Sequence, residues 1–149
     1  MKWLDLPPFW LLGCLVATYW IGGAGAGQGA GPTGVSQTLA GVLAVVGFGL
    51  MGAAVFEMRR HKTTFIPHLT AQTLVQSGVF SISRNPIYLG DILVLLAYII
   101  WTQTWLALPL VGGLFWVLTS RFIRPEEACL RAAFGREADI YMQKTRRWL

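Results

Sequence analysis

Charge is scarce in this chain: only 13% of its 149 residues are Asp, Glu, Lys or Arg, against a hydrophobic share of 54%. A soluble domain carries about a quarter charged residues, and the mean hydropathy of +0.53 points the same way. Cysteine is scarcer still. Cys14 lies in an apolar run and Cys129 near the C-terminus, so neither a disulfide framework nor a cysteine-based metal site is expected. The closing residues Arg146, Arg147, Trp148 and Leu149 form no prenylation box. A phosphate-binding glycine loop is also missing, although one is mimicked. Gly29, Gly31 and Gly34 satisfy G-x-G-x-x-G, but Pro32 interrupts the motif and residues 22–34 hold no charge. No strand precedes it, so a non-cytosolic linker is expected there. The net charge of +5 would suit nucleic acid. Its placement beside apolar runs fits the positive-inside rule instead, and nucleic-acid binding is set aside.

What the chain does have is apolar length. Four runs, 6–23, 39–58, 87–101 and 105–121, read as membrane spans of a single all-α, polytopic domain covering 1–149. The first follows a lone Lys2 like a signal peptide, but no tidy cleavage site comes after it, so it is kept as mature structure. In the second, Gly41, Gly47, Gly49 and Gly52 suit close helix–helix approach in lipid. The last two runs are short of a full crossing and are expected to form a tilted or shallow hairpin around Thr102, Gln103 and Thr104. Basic residues lie at the N-terminus, between runs two and three (Arg59, Arg60, Lys62) and after run four, whereas the other two loops have none. Both termini are therefore expected in the cytosol, in a bacterial inner membrane. The tail 124–149 should begin a new helix, with Pro125 at its first position and Glu126 and Glu127 beside the positive end of its dipole. Gly135 should break it before a second short helix carrying Tyr141.

The polar stretch 72–90, QTLVQSGVFSISRNPIYLG, interrupts this pattern. Pro86 biases Asn85 away from the helical region, so a helix is expected to start here. Its free N–H groups, the Asn85 amide and the Tyr88 hydroxyl would face the cytosolic mouth, where a partly anionic small molecule can be held. The plainer alternative is a helix cap at a membrane boundary. Asp91, one turn further on, is an ionisable group near the start of a span and a functional hypothesis by default. The plainer reading of Arg121 and Arg124 is of cations anchoring the last span at the interface.

Two ordered blocks carry a resemblance. The first is Leu74, Val75, Gly78, Phe80, Arg84, Asn85, Pro86, Tyr88 and Gly90. The second is Glu126, Glu127, Leu130, Phe134, Gly135, Tyr141, Arg147 and Trp148. Residues 62–149 resemble the isoprenylcysteine carboxyl methyltransferases and the related phospholipid methyltransferases, which are integral membrane enzymes. The resemblance implies S-adenosyl-L-methionine as methyl donor, bound at Gln72, Thr73, Leu74, Val75, Phe80, Asn85, Pro86, Ile87, Tyr88 and Glu126. It also implies that Pro67 and His68 border the cofactor pocket. Two departures matter. Asn85 replaces the usual histidine before proline, and Phe122 stands where the eukaryotic enzymes carry a substrate-binding arginine. Arg121 and Arg124 flank that position and, with Glu126, are the candidate catalytic residues. The expected acceptor is accordingly a lipid or other hydrophobic molecule arriving sideways from the bilayer, with the oligomeric state left open. An NADPH-dependent, sterol-reductase-like enzyme and a non-catalytic membrane module are the alternatives.

Overall fold

The computed structural model describes residues 6–23, 33–61 and 74–149, and these are helical almost throughout. The sequence expectations that fall on Gln72, Thr73, Pro67, His68 and most of the glycine-rich linker lie outside the described residues. Helix α1 is Pro7–Gly23. Helix α2, Gly34–Arg60, begins five residues earlier than its hydropathy indicates. The reason is a capping box: the Thr33 amide donates to Ser36 Oγ at 3.0 Å, and the Ser36 amide donates to Thr33 Oγ1 at 3.3 Å. Two otherwise orphaned donors are satisfied, which extends the helix into polar sequence.

Helix α3, Pro86–Thr102, starts at the proline as expected. It ends at Gln103, which adopts a left-handed conformation with φ 55° and donates from Nε2 to Ile100 O at 2.8 Å. A 3-10 turn at Trp105–Ala107 then leads into α4, Leu108–Val117. Here the structure departs from the sequence reading. No new helix starts at Arg124: a π turn at Leu118–Ile123 passes directly into α5, Arg124–Phe134. The Arg124 amide donates to Thr119 O, five residues back. Proline lacks an N–H and its ring crowds the carbonyl four residues earlier, and the wider turn just before Pro125 fits both demands. Glu126 therefore does not sit at a free helix N-terminus and has no positive dipole end beside it. The expected break does occur at Gly135, after which α6 runs over Arg136–Lys144.

Two helical runs are long and apolar enough to cross a membrane, Gly34–Arg60 and Trp105–Phe134; α3, at 17 residues, is a shorter apolar helix. The core lies where α3 meets the second run. Tyr88, Leu95 and Ile99 pack with Leu114, Leu118, Phe122 and Ile123. On its other side α3 lies against α2 at a crossing that only glycine permits. A Cβ on Gly90 would stand 2.7 Å from Gly47 O and 2.7 Å from Met51 Cγ, and one on Gly47 would stand 3.0 Å from Gly90 O. Small residues at such a crossing let backbones touch. Gly90→Ala is expected to cost about 1–3 kcal/mol through forced separation of the two helices. A lowered thermal midpoint in detergent checks this, with Gly49→Ala as the comparison, since a Cβ there meets nothing within 4 Å.

Candidate functional site

The polar loop before α3 is fixed at three places. Its first anchor is the end of α2. Gly78 opens a 3-10 turn, Gly78–Ser81, with φ +58°. A Cβ at Gly78 would lie 3.1 Å from Glu57 Cδ, so the turn needs glycine for both its backbone angle and its space. Ser77 Oγ donates a short hydrogen bond to Glu57 Oε1, and His61 Nε2 lies 2.9 Å from the same hydroxyl and 3.4 Å from Glu57 Oε1. Glu57 is buried. This anchor was not anticipated from the sequence, although a carboxylate just inside a basic helix end was its visible sign.

The second anchor is the chain's C-terminal segment. The Arg84 amide donates to Arg146 O at 3.0 Å, and Asn85 Nδ2 donates to Arg147 O at 2.8 Å. Asn85 is buried and its own amide takes Ser83 Oγ as acceptor at 3.2 Å. Glu127 locks the same junction. It receives Arg147 Nε at 2.9 Å and Arg147 Nη2 at 2.7 Å, while Arg84 Nη1 stands 3.1 Å from its Oε1. The forked geometry is the strong form of the pair. The hydrogen bond to Glu127 raises the Arg147 pKa above the usual guanidinium value. Arg84 Nε is buried with no hydrogen-bond partner among the described residues. Further out, Tyr141 Oη donates to Phe80 O at 2.8 Å, and burial pushes that phenol up to about 12.

The third contact joins the two sequence blocks at their centre. Tyr88 Oη donates to Glu126 Oε1 at 2.5 Å. The Tyr88 ring is buried, tilted against Phe122 with centroids 6.4 Å apart. Because the ring belongs to the core, Tyr88→Ala cannot leave the fold untouched, as a helix-start position alone would have allowed. Glu126 and Glu127 point about 100° apart around α5, and each meets a different part of the loop.

Around this centre stand Pro86, buried at the start of α3, with Ile87 half-buried beside it. Val75 is buried, and Leu74 and Phe80 are half-buried. Arg121 and Arg124 are not drawn into the cluster. Both are exposed, and the Arg121 guanidinium stands 5.7 Å from the centroid of the Trp10 ring. A cleft of about 260 Å³ lined by Trp10, Trp116, Val117, Ser120 and Arg121 opens there. A second, of about 350 Å³, is almost wholly apolar and lies among Leu15, Ala44, Phe48, Val94 and Trp101. Neither is lined by the loop or by the tail glutamates.

Fold and site together define a helical protein with two runs long and apolar enough to cross a membrane, its polar loop strapped under its own C-terminal tail. The chain belongs to the phospholipid methyltransferase family, whose model matches residues 35–137, well over half of its length. The match takes in the whole loop and both glutamates and stops short of Tyr141 and Arg147. That family consists of methyltransferases acting on lipids, and the protein is a methyltransferase by membership. No curated protein and no solved structure matches the chain.

Proposed function

We propose that this protein transfers a methyl group from S-adenosylmethionine to a lipid or similarly hydrophobic acceptor at the cytosolic membrane face. The observation that carries the reading is the Tyr88–Glu126 contact, which brings both motif blocks to one point between loop and tail. The donor set there suits the cofactor: a carboxylate for its cationic end or ribose hydroxyls, a phenol, and the polar start of a helix for its carboxylate. Bound there, the cofactor supplies an electrophilic methyl on a sulfonium. The chain's contribution is positioning and exclusion of water. Gln72, Thr73, Leu74, Val75, Phe80, Asn85, Pro86, Ile87, Tyr88 and Glu126 would hold it, with Asn85 acting through its hold on the Arg147 carbonyl. Arg121 and Arg124 would meet an acceptor arriving from the lipid, a role supported by the exposure of both and by the cleft between α1 and α4 that Arg121 lines. Four spans with both termini in the cytosol complete the proposal, α1 and α3 accompanying the two longer runs.

Calorimetric titration of the detergent-solubilised protein with S-adenosylhomocysteine tests it. Saturable binding is expected, with none for NADPH. Binding of NADPH alone would turn the reading toward the reductase alternative, and binding of neither toward the non-catalytic module.

A further inference from the structure

The site described so far leaves Asp91 without a task. It lies three residues beyond Tyr88 on α3, hence about 4.5 Å deeper along the axis and about 60° around it. It is 5% exposed, between the Gly90 crossing with α2 and fully buried Leu95. Every other buried or half-buried acid near the site has a partner. Glu57 has Ser77 and His61, Glu126 has Tyr88, and Glu127 has Arg84 and Arg147. Asp91 is the exception: among the described residues no hydrogen bond or ion pair reaches its carboxylate. An unpaired carboxylate inside an apolar bundle is costly, and ionisable groups at such depth mark functional paths.

The geometry points to Asp91 as a catalytic base that takes the acceptor's proton, an inference that rests on the methyltransferase reading. Loop and tail hold one reactant at the level of Tyr88 and Glu126. The acceptor comes from the bilayer, and Asp91 lies on that deeper side. In the transfer, a lone pair of the acceptor heteroatom forms the new bond to the methyl carbon. The carbon–sulfur bond breaks with its electrons left on sulfur, and the heteroatom's proton passes to the Asp91 carboxylate. The acceptor's attacking atom therefore carries a proton, as an amine, hydroxyl or thiol does. A carboxylate acceptor needs no base, and its charge would be repelled by Asp91 and Glu126 together.

The test uses the full chain in lipid nanodiscs, with methyl-labelled S-adenosylmethionine. Four acceptors are offered separately: phosphatidylethanolamine, diacylglycerol, a lipid thiol and oleate. The parent is expected to label at least one of the first three and not oleate. Asp91→Asn should reduce that transfer about a hundredfold or more. It should leave S-adenosylhomocysteine affinity within about threefold, because the cofactor contacts lie elsewhere. Its thermal midpoint should hold or rise, since an unpaired buried charge has gone. Asp91→Glu should recover part of the transfer. Transfer by Asp91→Asn within threefold of the parent overturns the inference. So does labelling of oleate alone, or of none of the four while S-adenosylhomocysteine still binds. A parallel fall in affinity, midpoint and transfer would make Asp91 a packing residue and overturn it equally. If the parent itself fails to bind S-adenosylhomocysteine, the methyltransferase reading has failed first.

Discussion

Glu127→Ala is expected to give the largest loss of stability of any single change in the tail. The residue is 6% exposed and sits between two guanidiniums, Arg84 at 3.1 Å and Arg147 at 2.7 Å. Removing one partner of a buried pair leaves an uncompensated charge, at about 3–5 kcal/mol when burial is complete. The Arg84 side chain is 13% exposed and its Nε already lacks a partner, so its share approaches that figure. Arg147 is 36% exposed, and solvent screening reduces its share to about 0–1 kcal/mol. The C-terminal segment that Asn85 and the Arg84 amide grip should loosen as well. Thermal denaturation in detergent should show a fall of several degrees, with proteolysis beginning at the C-terminus. Arg131→Ala provides the contrast, since its pair with Asp139 is more than half exposed on both sides. That change should move stability by no more than about 0.5 kcal/mol. Equal effects from the two changes would mean that the clasp around Glu127 is not what holds the tail.

The second large effect is on binding, at Glu126 and Tyr88. Glu126→Gln keeps the shape and some hydrogen bonding but removes the charge. Loss of a charge-assisted hydrogen bond to the cofactor should cost roughly 1.5–3 kcal/mol of S-adenosylhomocysteine affinity, about tenfold to over a hundredfold. Tyr88→Phe is the matching probe, because it keeps the ring against Phe122 and removes only the hydroxyl that donates to Glu126. Tyr88→Ala is a poorer one. It would also empty a buried site at about 3–5 kcal/mol of stability, confusing folding with binding. Unchanged affinity for both Glu126→Gln and Tyr88→Phe would remove the basis for placing the cofactor between loop and tail. Glu127→Gln cannot serve as an inert neighbour here, since it would release Arg84 and Arg147 together.

Much of this architecture is legible in the chain because the bilayer simplifies it. Long apolar runs, Pro86 at a helix start and Gly135 at a helix end each act locally, and the helices follow them closely. The family membership was readable from the spacing of two motif blocks. The joints between those blocks were not. Glu126 and Glu127 are adjacent and chemically alike, and sequence cannot say which meets Tyr88 and which meets Arg84 and Arg147. That assignment depends on the rotation of α5, and the rotation depends on the π turn before it. The start of α2 was missed for a simpler reason: hydropathy ignores a capping box. Glu57 escaped notice because its partner Ser77 comes from a loop sixteen residues beyond His61.

The π turn at Leu118–Ile123 makes the membrane-embedded rod and the tail a single angular register. Each residue in a helix advances the heading by about 100°, so the turn acts as a vernier between the bilayer half and the capping half. Gaining or losing one residue there would leave hydropathy, charge and both motif blocks almost intact. It would nevertheless turn Glu126 away from Tyr88 and bring a neighbour round in its place. Two chains of this kind with indistinguishable blocks can therefore differ in which carboxylate faces the loop, and the count of residues between Leu114 of α4 and Glu126 decides it.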